Sequence, residues 1–265
     1  MTVAPATHNR PDSTDDAFLG GALHLLQLRT GYRAGLDAVM LAAAVPADPE
    51  RPLRVLDVGA GVGTAGLCLA RRAPLASVVL LEKEWQPAEL ASENARRNHL
   101  ADRVRVVTAV VGAAASELRA AGLAEESFAH VIANPPYHDA DAGTLAADAL
   151  KAGAHAMADG ELELWARFMA RMTAPGGEAT IVHKTEALPR LLAAFATRFG
   201  SLKILPLHPR HDAPANRVLL QGVKGSRGPL QILPGFILHE GNGAFTPAAQ
   251  GILRAGGALP MSAAG

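Results

Sequence analysis

The stretch Val55-Leu56-Asp57-Val58-Gly59-Ala60-Gly61-Val62-Gly63 runs from apolar residues into three alternating glycines. A strand that ends in such a loop and re-enters a helix lets backbone approach a ligand where a Cβ would collide. Asp57, ahead of the first glycine, is a carboxylate placed to accept from a ligand amine or to fix the loop. The next apolar run ends Leu80-Leu81-Glu82, with Glu82 19 residues beyond Gly63. That agrees with the roughly 20 residues expected for an acid that accepts hydrogen bonds from both hydroxyls of a ribose. The spacing is G-x-G-x-G and not the G-x-G-x-x-G of dinucleotide binders. With the early Asp57, it suits an amino-acid-bearing, phosphate-free nucleoside better than a pyrophosphate.

Outward from the loop, short apolar runs alternate with helical patterns. Leu53–Val58, Val78–Glu82, Val104–Thr108, Phe128–Ala133 and Glu178–His183 read as strands. Asp37–Val45, Thr64–Arg72, Gln86–Asn98, Ala113–Ala121, Leu162–Met172 and Glu186–Phe199 read as helices. This is the pattern of βαβ units, an α/β fold whose mostly parallel sheet has helices on both faces. Beyond Gly200, Leu202–Leu207 and Arg217–Val223 leave no room for a helix between them and are expected to pair antiparallel at one edge. Leu230–Leu238 offers another extended segment, and Thr246 with Pro247 starts a last helix ending near Arg254. Residues 1–17 carry too little apolar surface to offset ordering entropy, so a disordered tail is expected ahead of a single domain over 18–265. Trp85 and Trp165 fall in helical patterns as packing residues, and Cys68 reads as a buried, inert thiol.

The second informative stretch is Val131-Ile132-Ala133-Asn134-Pro135-Pro136-Tyr137. Ligands in open α/β sheets bind outside the carboxyl ends of the strands, so this tetrapeptide is expected beside the glycine loop. Pro135 keeps Asn134 out of helical geometry, and the two prolines stiffen the turn. An asparagine side-chain oxygen and a proline carbonyl both accept from one exocyclic NH2. Held in that way, the nitrogen lone pair turns out of conjugation and toward an electrophile. Tyr137 is placed to stack on the planar group, worth ~1–3 kcal/mol if that group is a nucleobase.

With these residues the chain resembles class I S-adenosylmethionine-dependent methyltransferases of the N-P-P-Y group, and among them the bacterial tRNA(Val) adenine-N6 methyltransferase family. The resemblance covers most of residues 18–240. It rests on Asp57–Gly63, Glu82 and Asn134–Tyr137, on Gly31-Tyr32-Arg33-Ala34-Gly35-Leu36-Asp37, and on Pro214-Ala215-Asn216-Arg217. It implies a Rossmann-like, seven-stranded, mostly parallel sheet with an antiparallel last strand. It also implies S-adenosylmethionine as cofactor, tRNA as partner, and methyl transfer to adenine N6 in the anticodon loop. By the same resemblance Gly59, Ala60, Gly61 and Gly63, with Asp57, surround the methionine part, and Glu82 takes the ribose. Asn134, Pro135, Pro136 and Tyr137 hold the target amine, while Tyr32, Arg33, Gly35 and Asp37 close over the cofactor. Many relatives place a polar residue after the third strand for the adenine; here Val107-Thr108-Ala109-Val110-Val111 leaves that contact to Thr108 or to backbone. Protein glutamine-N5 and ribosomal guanine-N2 methylation are alternatives, since a carboxamide presents the same NH2 to Asn134. The glutamine enzymes usually carry a helical domain ahead of the loop, and only about fifty residues precede it here. A different class, an inactive cofactor-binding RNA chaperone, is disfavoured by the intact tetrapeptide.

The 265 residues carry 25 Lys+Arg against 25 Asp+Glu, which excludes a grossly polybasic protein. At 49% hydrophobic the chain has a core, which excludes wholesale disorder. One cysteine allows no internal disulfide and suits a reducing cytoplasm. No apolar run approaches the ~18 residues of a membrane span, and the opening MTVAPATHNRPDSTDD is not expected to be a secretory signal. Residues 201–230 hold five cations, Lys203, Arg210, Arg217, Lys224 and Arg227, against Asp212 alone. That basic edge reads equally as an RNA contact and as a solvated face. Residues 138–163 hold six acids against Lys151 and are expected to oppose RNA. His208 and His211 are close in sequence but have no carboxylate cluster and no cysteine nearby, so no metal is expected.

Overall fold

In the structure, a computed structural model that describes residues 12–30, 33–136 and 149–261 (backbone alone over 149–159), β1 (Ser13–Phe18) and β2 (Leu23–Leu28) form an antiparallel hairpin. The chain then runs through α1 (Leu36–Ala43), β3 (Leu53–Val58), α2 (Thr64–Arg72), β4 (Ala76–Glu82), α3 (Trp85–Arg97) and β5 (Val104–Thr108). Next come α4 (Ala115–Ala120), β6 (Phe128–Ala133), α5 (Ala149–Met172), β7 (Thr173–Lys184) and α6 (Leu188–Ala196). It closes with β8 (Phe199–Arg210), β9 (Arg217–Lys224), β10 (Gln231–Ile232), β11 (Phe236–His239) and α7 (Pro247–Ala255). Among the described residues no helix is long and apolar enough to cross a membrane.

The strand order is β10-β8-β9-β7-β6-β3-β4-β5, and β11 also pairs with β8. Only β9 runs antiparallel to its neighbours. The seven strands from β5 to β8 match the expected mixed sheet, and β10 and β11 extend it to nine along the outer side of β8. The antiparallel pair is therefore not an edge: β9 inserts between β7 and β8. Alternate residues enter opposite layers, as a sheet covered twice requires. Val55, Val78 and Leu80 pack toward α1 and α2, whereas Leu56, Val79 and Leu81 pack toward α5 and α6. From β3 the chain winds outward to β4 and β5, then returns to lay β6 on the other side of β3. That reversal opens a crevice at the carboxyl ends of β3 and β6.

Two expectations need correction. Residues 13–17 are not a disordered tail, because they belong to β1; residues 1–11 lie outside the described residues. The polar look of Ser13-Thr14-Asp15-Asp16 hides ion pairs, Asp15 with Arg97 and Asp16 with Arg33. Trp85 is not a packing residue, since it stands 66% exposed at the start of α3. The terminal helix is as read: Thr246 Oγ1 accepts from the Ala249 N–H at 3.1 Å, and Pro247 opens α7.

Close approach of α2 to β4 sets a sharp requirement at Gly66. A Cβ there would lie 2.3 Å from Leu80 Cδ2 and 3.0 Å from Val78 Cγ1. Helix propensity alone favours alanine by ~1 kcal/mol, but overpacking typically costs ~1–3 kcal/mol and prevails in this crowded interior. Gly66→Ala is therefore expected to lower the melting temperature, while Gly251→Ala in α7, where a Cβ meets nothing within 4 Å, raises it. Thermal melts of the two variants check this, and equal signs would contradict the packing described.

Candidate active site

Strand register builds the site. Val58 pairs with Leu81 of β4 on one side and with Ala133 of β6 on the other. The next residues, Glu82, Gly59 and Asn134, therefore emerge from adjacent strands, whose spacing is ~4.8 Å. Gly59 and Gly61 turn the chain at φ +66° and +56°, the left-handed region that glycine enters without penalty. A Cβ on Gly59 would lie 2.5 Å from the Trp165 ring, whereas one on Gly61 meets nothing within 4 Å. Glu82 organises the turn: its Oε2 accepts from the Gly61 N–H at 2.8 Å. Its Oε1 accepts from the N–H groups of Lys83 and Glu84 at 2.8 and 2.9 Å. Asp57, 2% exposed, accepts from the Gly66 N–H at 2.8 Å and so ties β3 to the first turn of α2. Burial pushes its carboxyl up to about 7; the Gly66 hydrogen bond opposes the shift and the Glu82 charge adds to it.

These residues border a cleft of about 580 Å³. Of the sequence-derived set, Asp57, Gly59, Ala60, Gly61, Glu82, Asn134 and Pro136 line it. The lining carries four acids, Asp57, Glu82, Glu84 and Glu161, against Lys83. Such a surface favours a ligand bearing positive charge. Thr64 also borders the cleft, and its buried hydroxyl has no protein partner among the described residues.

Other candidates stand behind the lining. Arg33 donates to Thr14 Oγ1 and the Leu28 carbonyl at 2.8 and 3.0 Å, besides pairing with Asp16, and so ties the hairpin. Asp37 accepts from Arg217 Nε at 2.9 Å. Gly35 and Gly63 cap α1 and α2, Pro135 is buried, and Thr108 is exposed beside Glu82; none of the four borders the cleft. Ala109, Val110 and Val111 line it where Thr108 was expected. Tyr32 and Tyr137 lie outside the described residues. Sequence reasoning missed Leu28 and Thr30 at the end of the hairpin, and Glu161, Leu164 and Trp165 on α5. The 161-164-165 spacing puts three residues on one helical face, a signal indistinguishable in sequence from ordinary core packing.

The basic edge divides. Arg217 opens β9 at the site end, and Lys224 closes it roughly 23 Å away at ~3.3 Å per residue. Arg210 ends β8 at the site end and pairs with Asp212, whereas Lys224 pairs with Glu126 and Lys203 sits mid-strand. His183, at the same end as Arg217, is pushed down to about 4 by burial, with Arg190, Arg217 and Lys184 adding repulsion. Among the described residues no group of three or more His, Cys, Asp or Glu could hold a metal ion.

Residues 36–187 match the family model of the methyltransferase small domain. A tRNA1(Val) (adenine(37)-N6)-methyltransferase of Shewanella sp. (strain W3-18-1) is 31% identical over 123 residues, 46% of this chain and 49% of the relative. The chain thus spans about half the length of that relative. The Aeromonas hydrophila protein of the same name is 26% identical over 229 residues, 84% of this chain and 89% of the relative. A crystal structure of a predicted O-methyltransferase from Agrobacterium tumefaciens is similar with a TM-score of 0.71 at 33% identity, covering 84% of this chain and 98% of that one.

Asp57 also makes stability depend on pH. Its ordinary value is 3.8 and its folded value about 7, so between those limits the folded protein holds a proton that the unfolded chain has lost. Stability from this group is greatest below pH 4, falls by about 1.4 kcal/mol per pH unit through the window, and stays low above it. Asp57→Asn keeps an acceptor for Gly66 and removes the titration. The variant is expected to gain on wild type steadily from pH 4 to pH 7 in denaturant unfolding; parallel curves would refute the assignment.

Proposed function

The chain belongs to the methyltransferase small domain family, and on that footing we propose that it transfers a methyl group from S-adenosylmethionine to the exocyclic N6 amine of an adenine in tRNA. The observation that carries this reading is the shared register that sets Gly59, Glu82 and Asn134 side by side. The residues suit that cofactor. The backbone around Gly61 leaves room for close approach, and the acids complement an ammonium and a sulfonium. Glu82 is the acceptor for ribose hydroxyls, and the Thr64 hydroxyl is a donor without a protein partner among the described residues. Held by these residues, the cofactor would supply an electrophilic methyl to the amine, with its thioether as leaving group and the amine's proton passing to solvent.

The protein's own part is placement and exclusion of water. Asn134 Oδ1 and the carbonyl of the stiff Pro135-Pro136 turn accept both amine hydrogens, which aims the lone pair into the cleft. Trp165 walls the glycine loop from α5, and Ala109–Val111 offer apolar surface to the cofactor's base. The names of the Shewanella and Aeromonas relatives support adenine N6 in tRNA. A target base must leave its stack to reach Asn134, which a single-stranded loop makes cheap. Arg210, exposed at the site end, is assigned to the RNA backbone; Arg217, held by Asp37, and Lys224, held by Glu126, are not.

The test is transfer of a tritiated methyl from S-adenosylmethionine to total tRNA, total rRNA and a release-factor protein in parallel, with nucleoside analysis of the product. N6-methyladenosine in tRNA is expected. Asn134→Ala is expected to keep S-adenosylhomocysteine binding and lose transfer at least ~100-fold. Label in glutamine, in N2-methylguanosine or in a 2′-O-methyl nucleoside would overturn the acceptor, and full activity of Asn134→Ala would overturn the bracket.

A further inference from the structure

Two asparagines one turn apart, Asn94 in α3 and Asn98 at its C-cap, are 0% and 6% exposed. Each meets one residue of β2 with both halves of its carboxamide. Asn98 Oδ1 accepts from the His24 N–H at 3.0 Å, and Asn98 Nδ2 donates to the His24 carbonyl at 2.8 Å. Asn94 Oδ1 accepts from the Leu26 N–H at 2.7 Å, and Asn94 Nδ2 donates to the Leu26 carbonyl at 3.0 Å. The spacings agree: four helical residues rise ~6.0 Å, and two strand residues span ~6.6 Å. The pair thus imitates a third strand, with amide groups standing in for peptides along the free edge of the hairpin.

The remaining donors separate the two residues. Asn98 Nδ2 also donates to the Asn94 carbonyl at 2.8 Å, back into the last turn of α3. Asn94 Nδ2 also donates to the Val62 carbonyl at 3.1 Å, in the middle of the glycine loop. Val62 lies inside the turn closed by the Gly63 N–H donating to the Ala60 carbonyl at 2.8 Å. The hairpin ends at Leu28 and Thr30, which line the same cleft as that loop. One buried side chain therefore joins two backbone segments that border the cleft.

We propose that Asn94 is a positioning residue: it fixes the Val62 carbonyl, sets the glycine turn, and couples that turn to attachment of the hairpin, while Asn98 attaches the hairpin alone. The proposal rests on the cofactor reading only for the identity of the ligand. Asn94→Ala and Asn98→Ala each remove one two-pronged tie to the hairpin, so a merely structural role affects the glycine loop equally in both.

The experiment is residue-resolved amide hydrogen exchange on the ligand-free proteins, followed by calorimetric titration with S-adenosylhomocysteine. In Asn94→Ala, exchange at Gly63 is expected to rise at least ~10-fold and ligand affinity to fall at least ~10-fold. In Asn98→Ala both are expected to change less than ~3-fold, while exchange at His24 rises. Equal effects of the two variants on Gly63 would overturn the proposal. Should Asn94→Ala fail to fold, wild type decides: saturation with ligand is expected to slow exchange at Leu26, which does not border the cleft, at least ~5-fold. Unchanged protection at Leu26 would defeat the coupling. Failure of wild type to bind S-adenosylhomocysteine would instead defeat the cofactor reading, leaving the ligand-free comparison at Gly63 to judge Asn94.

Discussion

Parallel pairing of β3 with both β4 and β6 is the constraint on which the rest depends. Its ladder bonds are ordinary backbone hydrogen bonds, but their register decides which residue leaves each strand at the crevice. A slip of one residue would send every side chain on the shifted strand to the opposite face. Val58 between Leu81 and Ala133 prevents that, because all three are buried in one core layer. The chemistry-bearing residues therefore inherit their positions from apolar packing one residue earlier. The exception is Asp57, a carboxylate inside the sheet, whose burial is the largest contribution to its raised pKa.

The parts legible in the sequence were those whose reason is local. β3, β5 and β6 appear as short, mainly apolar runs with the bounds read from them, and the Thr246-Pro247 start of α7 follows from capping chemistry alone. Glycine spacing, the position of Glu82 and the Asn134-Pro135-Pro136 turn located the crevice for the same reason. What stayed hidden has distant causes. β1 is polar because its acids answer arginines elsewhere, and β2 is completed by asparagines 68 and 74 residues away. Local charge counting made Arg217 look available, but Asp37, 180 residues distant, pairs with it. The face of α5 toward the cleft could not be told from core, since Trp165 belongs to both.

Charge is distributed to match. Acids gather around the glycine loop, where a cationic ligand would sit, and their mutual repulsion is held by fixed backbone N–H donors from Gly61, Lys83, Glu84 and Gly66. Cations stand further along the same end of the sheet, at Lys184 and Arg217, with His183 kept neutral among them near pH 7. Acids therefore dominate the lining of the cleft, and the cations lie beyond it at the same end of the sheet.

The most direct measurement of the central claim is an amide chemical-shift titration of the protein with S-adenosylhomocysteine. If the crevice works as one site, resonances of Gly61, Glu82 and Asn134 shift together with a single dissociation constant, while those of β10 and β11 stay in place. Binding that moves Gly61 and Glu82 but leaves Asn134 untouched, or that perturbs residues away from the crevice, would contradict the account.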